Sequence, residues 1–175
     1  LLKFPTKDIV RYEEEKGRIR SENFLECGEK VHFLINVLRD QGIRSGDCVV
    51  CYTKNSEALI HYYLACGLLQ ITCLPVTDVF SPHLIKKFIV QSKATGIVTD
   101  DDKNKFFADA GIKILPLKIL NKSNPDPESR FVDDLERLLA ASDVEKPFLL
   151  QPTSGSTGVP KLVIRSHQAS FRHAK

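Results

Sequence analysis

Methionine is missing from all 175 residues, and the chain opens on Leu1. A complete reading frame starts with Met, so a fragment, a processed chain or an incomplete gene sequence is expected. Long apolar runs are missing too. The most apolar stretch, residues 58–74, is broken by His61, Tyr62, Tyr63 and Gln70. A spanning helix needs about 20 consecutive apolar residues, so this stretch reads as a buried helix followed by a strand. The opening L-L-K-F-P-T-K has no long apolar core, so no signal peptide is expected there. Nor does either sign of charge dominate. With 25 basic and 22 acidic residues the net charge is +3, whereas a dedicated nucleic-acid binder carries a clear and clustered basic surplus. Internal repeats and low-complexity tracts are also absent.

The five cysteines are an odd number without a secretory signal. Reduced thiols in an intracellular, cytoplasmic setting are therefore expected. Cys48 and Cys51 have C-x-x-C spacing inside the apolar run C-V-V-C. In a strand, residues three apart point to opposite faces, and no second cysteine pair completes a zinc site. Two core residues are the better reading.

What is present is an ordinary globular composition, 42% hydrophobic and 27% charged, long enough for one substantial core. Phe24, Cys27, Val31, Leu34, Ile35 and Leu38 recur at steps of three and four, predicting a helix over 21–41 that Gly42 stops. A short strand is expected at 47–53. Ser56 can cap a nearly all-apolar helix over 57–69. Residues 71–76 read as a strand, and Ser81-Pro82 starts a helix to about residue 93 with Leu84, Ile85, Phe88 and Ile89 inward. Further strands are expected at 96–99, 112–117 and 147–151, and helices at 101–110 and 131–141. Residues 121–130 form a polar connector containing Pro125 and Pro127. Strands alternating with helices predict an α/β fold of βαβ units, with a mostly parallel sheet flanked by helices.

One segment carries chemistry: Thr153-Ser154-Gly155-Ser156-Thr157-Gly158-Val159-Pro160-Lys161, between the strand at 148–151 and a second β-rich run at 162–165. Gly155 and Gly158 allow positive φ and close backbone approach. Successive N–H groups in such a turn form an anion-binding nest. Thr153, Ser154, Ser156 and Thr157 add hydroxyl donors, and Lys161 adds a full positive charge. A Walker loop needs Gly before the lysine and Ser or Thr after it; Pro160 and Leu162 stand there instead, and the next residues favour a strand over a helix. The kinase G-x-G-x-x-G is missing as well. A flexible Ser/Gly/Thr linker explains the small residues but not the Pro-Lys and β-branched run behind them.

The string T-S-G-S-T-G-V-P-K resembles the signature loop of the acyl-adenylate-forming, or AMP-binding, superfamily. Upstream, Leu38-Arg39-Asp40-Gln41-Gly42-Ile43, Gly46-Asp47-Cys48-Val49, Asn55-Ser56-Glu57 and Ile97-Val98-Thr99-Asp100 also resemble that family, as does Ser166-His167. Three features depart from it. Leu162 stands where a glycine often follows the lysine, as in some aryl-acid-activating members. Pro152 replaces a frequent aromatic, and residues 75–80 match no subfamily well.

The resemblance implies a two-step reaction. A carboxylic acid attacks the α-phosphate of Mg-ATP, giving an acyl-adenylate and pyrophosphate. A thiol, of coenzyme A or of phosphopantetheine on an acyl carrier domain, then takes the acyl group. By motif match Thr153, Ser154, Gly155, Ser156, Thr157, Gly158 and Lys161 hold the phosphates, with Lys161 stabilising charge on the departing pyrophosphate. The family's adenine, ribose and Mg2+ ligands and its late catalytic lysine follow this loop. Residues 1–175 are thus expected to be the N-terminal part of an adenylate-forming domain, ending after the phosphate loop and inactive alone. An acyl-CoA synthetase leads. A peptide-synthetase adenylation domain and a truncated, non-catalytic nucleotide-binding protein stay open.

Four other places invite a functional reading. Asp100-Asp101-Asp102 ends a strand and favours a helix start, a better reading than a metal site. His167 either approaches phosphate or follows a Ser166 cap as a structural residue. His32, His61 and His83 have no partner at metal spacing. Residues 13–16, E-E-E-K, read as a solvated face.

Overall fold

The computed structural model describes residues 7–13, 17–54, 56–117, 128–153 and 160–173. The chain forms β1 (Asp8–Glu13), β2 (Ile19–Asn23), α1 (Phe24–Asp40), β3 (Cys48–Tyr52), α2 (Glu57–Leu69), β4 (Thr72–Val76), α3 (Pro82–Ser92), β5 (Gly96–Thr99), β6 (Lys113–Pro116), α4 (Glu128–Ala140), β7 (Pro147–Thr153), β8 (Lys161–Ser166) and α5 (His167–His173). Six strands make one sheet in the order β6-β5-β3-β4-β7-β8. Every neighbouring pair is parallel except β7 and β8, which form an antiparallel hairpin. The α/β, mostly parallel architecture expected from the alternation is therefore present.

All five residues of β3 are buried, as a strand covered by helices on both faces requires. Val49 and Cys51 face α1, α2 and α4, packing with Leu34, Leu38, Tyr62, Cys73, Phe131 and Leu135. Cys48, Val50 and Tyr52 face the other way, against Ile85, Phe88, Ile89 and Phe107. The two cysteines of the C-x-x-C run thus lie in different cores. Each fully buried aliphatic side chain contributes about 1.5–3 kcal/mol relative to exposure, so these two layers hold the fold.

Local signals set most helix ends. Asn23 and Glu26 make a reciprocal capping box at α1. Gly42 follows α1 at φ +68°, a conformation costly for residues with a Cβ. Ser81 accepts a hydrogen bond from Leu84 N–H at 3.3 Å and starts α3, with Pro82 in the first turn. Ser56 precedes α2 as expected but makes no side-chain cap. The Leu59 N–H that it would receive is instead bonded to Ser56's own carbonyl at 3.1 Å.

Three expectations need correction. The helix expected at 21–41 starts only at Phe24, because Ile19–Asn23 pairs antiparallel with Asp8–Glu13. Residues 101–110 hold a single 3-10 turn, Asn104–Phe106, in place of a helix. Bonds from Lys103 to Asp100, Phe107 to Asn104 and Ala110 to Phe107 tighten this segment at three-residue steps. Phe107 drives that path: it is fully buried, with its ring edge-on to Tyr52 at 5.8 Å. The connector is also shorter than expected, since α4 begins at Glu128. Among the described residues no helix is long and apolar enough to cross a membrane.

Candidate functional site

The sequence motif lies at the turn of the β7–β8 hairpin. Pairing runs from Pro147↔Ser166 at one end to Thr153↔Lys161 at the other, so Thr153 and Lys161 close the mouth of the loop. Thr153 Oγ1 donates to the Lys161 carbonyl at 3.1 Å, and both residues are exposed. Ser154, Gly155, Ser156, Thr157 and Gly158 lie outside the described residues.

Strand alternation places Thr153 and Gln151 on one face with Lys161, Val163 and Arg165. An open cleft of about 530 Å3 runs along this region, lined by Pro75, Gln151, Pro152, Thr153, Val163 and Arg165. β4 and β7 run parallel side by side, and Pro75 and Thr153 come near their carboxyl ends. Ligands of open α/β sheets bind outside those ends. Two cationic side chains, Lys161 and Arg165, therefore share a face beside hydroxyl and amide groups, an arrangement suited to a polyanion. Arg165 was not singled out from the sequence, although the spacing Lys161-x-Val163-x-Arg165 in a strand carries the signal. The described lining residues of this cleft include no carboxylate.

His167 lies at the opposite end of the hairpin. The six residues of β8, at about 3.3 Å each, put it roughly 20 Å from the loop. Its ring stacks on Phe148, with centroids 4.4 Å apart and planes at 22°. Its Cε1 lies 3.2 Å from where a Cβ on Gly67 would stand, so helix α2 approaches this stack as closely as glycine allows. Burial holds the imidazole below its ordinary pKa, and Nε2 has no partner. Ser166 caps α5 by accepting from Ala169 N–H at 3.2 Å. The structural reading of His167 holds.

Asp100 follows the last residue of β5 and accepts from Thr53 Oγ1 at 2.9 Å, while Lys103 pairs with it at 3.2 Å. His32 sits 3.4 Å from Asp134, which also binds Arg39 at 3.2 Å, joining α1 to α4. His83 is exposed on α3. His61 departs from expectation, because a partner 39 positions away reaches it. Its Nε2 lies 2.7 Å from Glu22 Oε2, and the two side chains are 1% and 2% exposed. Glu22 Oε1 accepts from Tyr12 Oη at 3.3 Å and from Lys30 Nζ. Burial pushes the Glu22 carboxyl up, but the bonds from Lys30 and His61 outweigh it and hold the group below its usual range. Burial, and then Glu22, push the Cys27 thiol up to about 11 and Tyr12 up to about 12.

The sequence profile of the AMP-binding enzyme family matches residues 2–174. An acetyl-coenzyme A synthetase from Coprinopsis cinerea is 28% identical over 190 residues, an alignment covering 94% of this chain and 28% of that protein. Among solved structures, o-succinylbenzoate CoA synthetase from Bacillus subtilis, in complex with its acyl-adenylate intermediate, superposes with a TM-score of 0.79. That match has 18% identity and covers 99% of this chain and 33% of the other. McyG A-PCP complexed with phenylalanyl-adenylate gives a TM-score of 0.71 at 20% identity, covering 93% and 28%. These likenesses show a shared fold. The chain spans about a third or less of the length of each of these three proteins.

Proposed function

Since the chain belongs to the AMP-binding enzyme family, we propose that its β7–β8 hairpin is the phosphate grip of an enzyme that activates a carboxylic acid as an acyl-adenylate. The observation that carries this reading is the pairing of Thr153 with Lys161 across the mouth of the T-S-G-S-T-G-V-P-K loop, at the carboxyl end of a parallel sheet. Thr153, Ser154, Ser156 and Thr157 supply hydroxyl donors, Gly155 and Gly158 supply backbone N–H groups, and Lys161 supplies charge. Arg165 and Gln151 extend the same polar face. Together they orient the β and γ phosphates of ATP and offset the charge that develops on pyrophosphate, the kind of preorganised stabilisation that lowers such barriers.

Lys161, Arg165 and the hydroxyls fit a polyphosphate. In this reading the Mg2+ ligands come from elsewhere in the protein, since the described lining residues offer cations, hydroxyl and amide groups and no carboxylate. Bound there, Mg2+ would neutralise phosphate charge. In this reading residues 1–175 are the N-terminal part of the adenylate-forming domain, and the adenine, ribose and acyl pockets lie in the remaining two thirds of its relatives' length.

The acetyl-CoA synthetase relatives favour coenzyme A as the thiol acceptor. The fold shared with an adenylation–carrier protein supports phosphopantetheine on a carrier domain as the second reading. ATP–pyrophosphate exchange with a panel of carboxylic acids, run on a protein bearing the complete domain, tests the proposal. Exchange that depends on one class of acid and falls ~10²–10³-fold in Lys161→Ala is expected. Undiminished exchange in that variant contradicts the role of the loop. The chain alone is expected to bind ATP without exchange.

A further inference from the structure

Glu22, Cys27 and His61 come from three elements and converge on one point, far from the hairpin in sequence. Glu22 is the penultimate residue of β2, Cys27 lies in the first turn of α1, and His61 lies on α2. One oxygen, one sulfur and one ring nitrogen all lie within 4.8 Å of one another. The residues are 2%, 2% and 1% exposed, so all three donors are shielded from bulk water. Among the described residues no other group of three such side chains converges in this way.

We propose that this cluster is a structural site for a thiophilic divalent cation of the zinc class, bound by Glu22 Oε2, Cys27 Sγ and His61 Nε2. The donor set argues for that class. Thiolate and imidazole select zinc-like ions, whereas magnesium and calcium take oxygen ligands. The surroundings hold the ligands in place. Glu22 Oε1 is occupied by Tyr12 and Lys30, which leaves Oε2 for the cation and fixes the carboxylate plane. His61 and Cys27 sit on helices packed directly against each other, and Glu22 is continuous with α1 through the Asn23 cap.

Binding requires a defined exchange of protons. The Cys27 thiol loses its proton to solvent, and the imidazole proton moves from Nε2 to Nδ1, freeing the Nε2 lone pair. Ligands about 2.0–2.1 Å from a tetrahedral cation stand roughly 3.3 Å apart. Glu22 Oε2 and His61 Nε2, now at 2.7 Å, need to part by about half an ångström, within a side-chain adjustment. A water carried in with the ion completes the four-coordinate set. The bound ion ties the β1–β2 hairpin to α1 and α2, which otherwise hold it through Val10 and the Glu22 bonds.

The test uses the 175-residue chain stripped with a chelator and titrated with Zn2+, and separately with Co2+ as an optical probe. One equivalent is expected to bind. Co2+ should give a thiolate-to-metal charge-transfer band and the intense visible absorption of a four-coordinate site. Cys27→Ser should abolish the charge-transfer band, and Cys48→Ser should leave it intact. At a hundredfold excess over Kd, Zn2+ should raise Tm by roughly 5–10 °C, while Mg2+ should not. The wild-type shift needs no variant, so a poorly folding Cys27→Ser leaves the test intact. A folded, stripped chain that takes up no Co2+ and whose Tm is indifferent to Zn2+ overturns the proposal. So does a charge-transfer band that persists in Cys27→Ser.

Discussion

β3 and β8 both carry apolar residues on successive positions, and so on both faces, yet have opposite fates. C-V-V-C-Y is buried at every position in the centre of the sheet. K-L-V-I-R-S stands at the edge, with Val163 46% and Ile164 65% exposed on its two faces. Apolar residues on both faces are the mark of a strand covered on both sides. The difference between the two strands lies in their neighbours. β3 has a parallel partner on each side and a helical layer above and below, whereas β8 touches the sheet only through β7. The centre of the sheet therefore carries stability, and in the proposed reading the edge hairpin carries the chemistry. Changes at the centre should unfold the protein, and changes at the edge should weaken a ligand while leaving the fold intact.

The largest effect is expected at the centre. Leu34→Ala, at a fully buried site facing β3, should cost about 2–5 kcal/mol in a denaturant titration. At the edge, Lys161→Ala should shift stability by less than about 0.5 kcal/mol. The same change should weaken pyrophosphate binding by ~1.5–3 kcal/mol, read by calorimetry. Comparable destabilisation by both variants would erase the contrast between centre and edge. Gly67→Ala probes the junction of the two regions. A Cβ there meets the His167 ring at 3.2 Å and Phe148 at 3.3 Å, so roughly 1–3 kcal/mol of stability should be lost through overpacking. If the hairpin's seat on α2 sets the loop, pyrophosphate affinity should fall with it.

The smallest effect concerns pH. Burial depresses the His167 pKa, so the folded protein prefers the neutral ring. The unfolded chain takes the proton first, near ~6.5. The stabilising contribution is therefore complete above that value and is lost as pH falls from it through the lower folded value. His167→Phe keeps the stack on Phe148 and removes the titration. Its stability profile should be flatter than the wild type's below neutral pH in paired melting curves.

The centre of this fold was the part legible in the sequence. Apolar spacing located α1 and α3, which bury one face, and unbroken apolar runs bounded by turn and cap residues located α2 and the strands β3 to β7, which are covered on more than one side. The hairpin β1–β2 left little trace, since its few apolar residues, such as Ile9 and Ile19, are largely exposed. The 101–110 segment misled because burial of Phe107 overrode a local pattern that reads as helical. Long-range polar pairing was invisible. Nothing near His61 points to Glu22, 39 residues away, and only the docking of β2 on α2 joins them. At the site, the glycines, hydroxyls and lysine announced the loop. Arg165 became visible only when the register of β8 placed it on the face of Lys161.

The central claim, that the edge hairpin grips phosphate, is tested most directly by mapping amide chemical shifts of the chain as pyrophosphate is added. The expected result is saturable shifts concentrated in residues 151–161 and at Arg165, with the amides of β3 and β5 unmoved. Shifts centred on another edge of the sheet, or a folded chain whose hairpin amides do not respond, would contradict it.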